Sequence, residues 1–389
     1  MNLRYPLRTV ACALSVSLLL AGCGGGVKPD PAPKPLTSID QTAHLVTQWD
    51  AGIGTQGRAR YHLAPAIDGG VVYTVNANGQ LTARDENNGD KQWQVELHAP
   101  VSTGVSASNG RLFIGTEKGE VLAVNESDGS IVWRGQVASA VSGTPQTNSN
   151  LVVVQSVDGT LTALDKLTGE QQWVYAANQP SLTLHGPRTP RTIDPVTFAG
   201  FSNGQVALFN NQNGAMMWNA HIGAASGSNE VQQLTDVVAQ PVLTQDGRLY
   251  VSGYQGNLVA YNVQNGEPLW SHRESSYRTP LLDGSTLYTV DAKSHVHAFD
   301  ATTGDQLWEQ DALEGRNLTA PAMVNGQLVL GDYQGYVHLL DASSGKLDGR
   351  DDLGGDGIGV TPIVDGNNLF VLTLSGKLVA YQVNANQAQ

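Results

Sequence analysis

Two histidines stand two residues apart in "SHVHAF", His295 and His297. On a strand, alternate side chains share a face, so this pair has the spacing to offer two imidazoles to zinc. His338 takes the place of His297 in the next similar segment. Equivalent positions in neighbouring sheets fan apart, and no carboxylate stands at a matching place. The histidines therefore read as surface or packing residues, and no metal is expected. The acidic residues mostly recur at one place before a Thr-Gly or Ser-Gly pair, where a carboxylate accepts backbone N–H bonds of the turn. No further carboxylates cluster as calcium ligands. No Gly-x-Ser-x-Gly elbow appears, and no Gly-rich loop opens a helix. Cys12 and Cys23 are the two cysteines, both near the N-terminus, so the body of the chain has neither a disulfide framework nor thiol chemistry. No residue is assigned a catalytic role and no cofactor is expected.

The elements that carry these residues repeat. "NGQLTARDENNGDKQW" (78–93), "KGEVLAVNESDGSIVW" (118–133) and "DGTLTALDKLTGEQQW" (158–173) share a turn Gly, an alternating strand, a second turn Gly and a Trp. The first turn position falls at Gly79, Gly119, Gly159, Gly204, Gly256, Ser294, Gly335 and Gly376, giving eight copies. The terminal Trp falls at 93, 133, 173, 218, 270 and 308, with Gly349 in the seventh copy. Trp49 precedes the first full copy and completes the eighth. Each copy is four short strands joined by turns. Such a sheet cannot bury both faces alone, and radial stacking against its neighbours does so. The expected fold is all-β: an eight-bladed β-propeller of four-stranded blades, closed by the N-terminal strand around Trp49.

The N-terminus reads as an address. Arg4 and Arg8 precede an apolar run from Val10 to Leu20, the pattern of a secretory signal and too short to span a bilayer. Leu20-Ala21-Gly22-Cys23 resembles the lipobox of bacterial lipoproteins. That resemblance implies cleavage before Cys23, acylation of Cys23, and, because Gly24 is not Asp, sorting to the outer membrane with the body on the periplasmic face. Residues 1–22 are then the signal peptide, 23–43 the acylated Cys and a Gly/Pro-rich flexible tether, and 44–389 the propeller. The net charge of -13 and pI near 5.0 argue against nucleic acid as a partner, since phosphates need Lys and Arg.

The repeat is interrupted in places. From Trp to the next Pro the chain takes 17 positions between Trp173 and Pro190, and 23 between Trp218 and Pro241. The other long stretch is the 16 positions from Trp49 to Pro65. Connections of this kind leave one face of the ring, so the two longest lie side by side. They carry Leu182, Leu184, Val231, Leu234 and Val237, with His185 and Asp236 nearby. Apolar residues clustered on an exposed face indicate a contact surface.

Two resemblances bear on function. "ALDKLTGEQQW" (163–173) and "AFDATTGDQLW" (298–308) resemble the repeat of pyrroloquinoline-quinone-type propellers. That implies the fold and, as the alternative function, a periplasmic quinone-dependent dehydrogenase with its cofactor and calcium over the central funnel. Lipobox, tether, eight repeats and the two long loops together resemble the BamB family, propeller lipoproteins of the outer-membrane β-barrel assembly machinery. "SLTLHG" is similar to that family's "SLSLRG", and "GSNEVQQLTDV" to its "GSTEIDRLSDVD". His185 stands where the family usually has Arg, and Val238 where it has a second Asp. The resemblance implies a non-catalytic scaffold that assists insertion of outer-membrane proteins. It implies that Leu182, Leu184, His185 and Asp236 contact the POTRA domains of BamA, with Leu234 and Val238 expected as an additional part of the interface. Unfolded outer-membrane protein precursors are a further partner class, by pairing with exposed strand edges.

Overall fold

The computed structural model describes residues 31–57, 62–180, 182–184, 186–223 and 235–385. Among them are thirty-two strands in eight four-stranded antiparallel sheets. Blades 1 to 7 run in chain order over residues 66–96, 101–136, 146–176, 191–221, 242–272, 281–310 and 322–352. Blade 8 joins three strands from 363–385 to the N-terminal strand Ala43–Gly52, which pairs with Lys377–Ala385. The expected eight-bladed ring closed by the strand around Trp49 is the observed one. In blade 3 the strands are Gln146–Thr147, Leu151–Gln155, Thr160–Asp165 and Gln171–Ala176. The first strands of neighbouring blades lie against each other around the axis, and the fourth strands form the rim.

The middle strands are buried on both faces because each blade is covered by two neighbours. Val152 and Val154 face blade 2 together with Phe113, while Val153 and Leu161 face blade 4 with Phe209. This is why "LVVV" is a continuous apolar run rather than an alternating one. The fourth strands alternate exposed and covered residues, as in Gln171–Ala176.

The tryptophans join blade to blade. Every indole N–H donates to a backbone carbonyl of the next blade: Trp49 to Glu86, Trp93 to Glu126, Trp133 to Lys166, Trp173 to Asn211, Trp218 to Val263, Trp270 to Ala301 and Trp308 to Ala342. Each such bond contributes about 1 kcal/mol net. The same indole covers the second turn Gly of that next blade. Gly169, at φ +78°, would place a Cβ 2.5 Å from the Trp133 ring. Trp and Gly in the repeat are therefore two halves of one contact. The repeat Asp caps the same turn: Asp165 Oδ1 accepts the N–H groups of Leu167 and Thr168 at 2.9 and 2.8 Å.

The first turn keeps its left-handed residue, with small departures. Ser294 adopts φ +73° where other copies have Gly, and in blade 5 the left-handed residue is Gln255 rather than Gly256.

The seam between blades 7 and 8 is built differently. Gly349 replaces Trp because a side chain there would strike the Ala43 carbonyl. The N-terminal strand passes close by, and Thr42 N–H donates to Asp348 O at 2.8 Å. Tyr381 reaches back from blade 8 to Asp351 at 2.7 Å.

Among the described residues, the later part of the segment expected to be a flexible tether is bonded to the body. Lys34 N–H donates to Glu314 O at 2.9 Å, and its ammonium pairs with Asp311 and Glu314 at 2.8 and 3.2 Å. Arg350 donates to Thr37 O at 3.1 Å. These bonds lay residues 34–42 on blades 6 and 7.

Candidate partner-docking surface

The connections after Trp173 and Trp218 are joined by one buried ion pair. Arg188 Nη2 donates to Asp236 Oδ2 at 2.6 Å and to Leu184 O at 2.8 Å. Leu184 N–H donates to the same Asp236 oxygen at 3.0 Å. Both polar groups of the Leu184 backbone are thus held by the pair. Burial pushes the Asp236 carboxyl above its ordinary range, while the Arg188 charge and the Leu184 N–H pull it back down. Asp236 is in turn fixed by its own backbone, which bridges Tyr254 of blade 5.

Beneath this pair the second connection enters the core. Val237 packs with Phe198, Ile222 and Val251 between blades 4 and 5, and its N–H donates to Phe201 O at 3.1 Å. Val238 is buried against Gly186, where a Cβ would lie 2.5 Å from its Cγ1. The sequence places Asp236, Val237 and Val238 among the exposed residues of the loops. They are instead inside, because the chain folds back onto blade 5 immediately before Pro241. The first connection is the exposed one. Leu182 is 40% exposed, and Leu184 is half-buried at the edge of the axial cleft. His185, Val231 and Leu234 lie outside the described residues, as does Cys23.

The residue that sequence reasoning missed is Arg188. It precedes Pro190 in "GPRTP" and is paired across 48 positions of sequence. The only signal was an Arg in one long connection and an Asp in the next.

The axial cleft, about 520 Å³, is bordered by Leu184, Val238, Tyr254, Tyr277, Arg278 and Tyr333. Among the described residues lining it there is no carboxylate. A quinone held with calcium needs anionic oxygen ligands, so this donor set does not fit that group.

The histidines also differ from expectation. A carboxylate does stand beside them: Asp291 Oδ2 lies 3.3 Å from His295 Nδ1, and Asp291, His295 and His297 place one donor atom each within 4.8 Å of one another. His338 is separate, buried in blade 7 against Asp332 at 3.0 Å. Burial holds the His338 ring below the usual histidine range, against the pull of Asp332.

An eight-bladed ring with Trp-to-Gly clasps, and with two long connections joined by an ion pair on one face, defines a β-propeller of the fold that quinoproteins share. The family profile described as outer membrane protein assembly factor BamB matches residues 77–310 and 292–388. The protein of that name from Pseudomonas aeruginosa is 35% identical over 374 residues, covering 96% of this chain and 98% of its own. The one from Kangiella koreensis is 34% identical over 377 residues, covering 97% and 96%. The crystal structure of BamB from Moraxella catarrhalis superposes with a TM-score of 0.80 at 24% identity, covering 87% of this chain and all of that one. A europium-containing methanol dehydrogenase shares the fold at a TM-score of 0.71 and 14% identity, over 87% and 93%. The chain belongs to the BamB family of outer membrane protein assembly factors.

Proposed function

We propose that this protein is a non-catalytic scaffold of the outer-membrane β-barrel assembly machinery. Acylated Cys23 anchors it to the outer membrane on the periplasmic face. The first long connection docks the POTRA domains of BamA, with Leu182, Leu184 and His185 in contact. Asp236 acts by position rather than by touch: with Arg188 it fixes the backbone that presents Leu182. Val238 supports the same loop from below through Gly186.

One observation carries this reading. A leucine stands exposed on a loop whose backbone is held by a buried ion pair. A mobile loop would lose part of its binding energy in becoming ordered, and this one is already held. An apolar anchor on a rigid support has the character of an interface hot spot.

The test is capture of BamA from membranes by the tagged full chain. Leu182→Asp should leave stability within about 0.5 kcal/mol, as exposed substitutions do. It should weaken capture at least about tenfold, in line with the loss of one hot-spot residue. Undiminished capture by a folded Leu182→Asp protein refutes the docking site.

A further inference from the structure

We propose that Asp291, His295 and His297 bind a single divalent transition-metal ion on the loop-bearing face of blade 6. Asp291 and His295 stand in the turn between strands Thr286–Val290 and Val296–Asp300, and His297 stands on the second of these strands. Asp291 Oδ1 accepts the N–H groups of Lys293 and His295 at 2.9 and 2.7 Å, which leaves Oδ2 beside the imidazole of His295. The left-handed Ser294 turns the chain so that His295 returns over Asp291. His297 follows on the same face of the strand. Around tetrahedral zinc, neighbouring donor atoms lie about 3.4 Å apart, as bonds near 2.1 Å require. The observed trio, all within 4.8 Å, is wider than that and closes by side-chain rotation.

Two observations favour an ion over simple ion pairing. First, neither ring nitrogen of His297 has a hydrogen-bond partner, although both are shut off from solvent. The contacts of His295 with Asp291 and with Glu314, 3.5 Å from its Nε2, account for His295 alone. Second, blade 7 carries the same turn with a cation in place. There Asp332 Oδ1 accepts from Gln334 and Tyr336, and its Oδ2 meets Arg316 Nε at 2.6 Å and His338 Nε2 at 3.0 Å. Blade 6 keeps that carboxylate and that imidazole as Asp291 and His297. It puts a second imidazole, His295, where blade 7 has Tyr336.

The donor chemistry selects the ion. Two imidazoles and one carboxylate suit zinc and its neighbours in the first transition row, whereas calcium and magnesium take oxygen ligands. Glu309 pairs with His297 across the strands and lies 3.8 Å from His295 Nδ1, so it stands near the fourth position. A cleft of about 880 Å³ lined by Asp291, His297 and Glu274 adjoins the site, and the side-chain rotation that closes the trio opens it to that cleft.

The full chain in detergent is stripped with chelator and titrated with Co²⁺ alone, reading the visible bands of coordinated cobalt, and then with Zn²⁺. One Co²⁺ per chain, displaced by Zn²⁺, is expected. Asp291→Asn should fold normally, because in blade 1 Asn76 makes the same two turn bonds to Asn78 and Gln80. It should weaken Co²⁺ binding by at least about 100-fold, since loss of a mere outer-shell partner already costs up to that much. His297→Gln should do the same, and the exposed His221→Gln should do nothing. Absence of coordinated cobalt in the wild type overturns the proposal. So does unchanged affinity in Asp291→Asn with an unchanged melting temperature, an outcome that is decisive even if His297→Gln fails to fold.

Discussion

Arg188 and Asp236 meet at 2.6 Å with their side chains 4% and 0% exposed, and each also holds one end of the Leu184 peptide. A buried pair of this kind contributes little net stability against an apolar substitute, but removing one partner strands a charge. Arg188→Ala or Asp236→Ala should therefore cost about 3–5 kcal/mol. Chemical denaturation checks the size. Arg188→Met with Asp236→Leu should cost less than either single change. It should still expose the Leu184 amide, which hydrogen exchange detects as lost protection. A double variant as unstable as the singles would argue against a stranded charge as the cause.

The clasp between Trp and Gly makes a paired prediction. Gly110 and Gly169 have similar backbone angles, φ +74° and +78°. A Cβ on Gly110 meets nothing within 4 Å, whereas one on Gly169 meets Trp133. Gly110→Ala should cost only the left-handed conformation, about 1 kcal/mol. Gly169→Ala should add an overpacking cost of about 1–3 kcal/mol. Equal losses in thermal or urea unfolding would mean that the indole moves aside freely.

Glu274 gives a pH dependence. It is buried, with Thr289 donating to Oε2 at 3.0 Å and Oε1 without a partner. Burial pushes its carboxyl up to about 7 from 4.5, outweighing the Thr289 bond. A raised acid is protonated more readily in the folded state. Its contribution is therefore complete below pH 4.5 and is lost as pH rises through 7. At pH 8 the charged form costs about 3 kcal/mol. Glu274→Gln should match the wild type near pH 4 and exceed it in stability at pH 8, measured with chelator present. A stability gap that does not change with pH would remove burial of this carboxylate as the cause.

The ring seam predicts a fourth outcome. Strand Ala43–Gly52 supplies the rim of blade 8 and the Trp49 clasp to blade 1. Deleting residues 43–52 should expose the edge of Lys377–Ala385 and open two blade contacts together. The expected result is loss of cooperative unfolding and self-association through the bare edge, seen by light scattering. A monomer with an unchanged melting curve would show that the seam closes without this strand.

The propeller was legible because its contacts repeat. A Trp in seven of the eight copies, the Gly where each indole lands and the Asx turn beside that Gly announce the blades in turn. Trp49 identified the closing strand because it was the indole left over. The face that carries the long connections was only partly legible. Leu182 looked exposed and is. Asp236 looked like a polar contact and is internal, because its partner Arg188 lies in another connection and nothing local marks the pair. Val238 was misplaced for a related reason: its burial depends on Gly186 coming close from the neighbouring loop. Asp291 was overlooked beside the histidines because it occupies a turn position, where one oxygen has a structural duty and the other does not.

The docked N-terminal segment limits how the body can swing. Cys23 and Lys34 are eleven residues apart, a line of about 40 Å at full stretch. A propeller of this length has a radius of gyration of roughly 20 Å and is about 50 Å across. The line is fastened at Glu314, in a connection on the same side as Leu182. With Cys23 acylated as proposed, the connection that carries Glu314 stays within about 40 Å of the bilayer, and the face that bears Leu182 is tethered to the membrane through it.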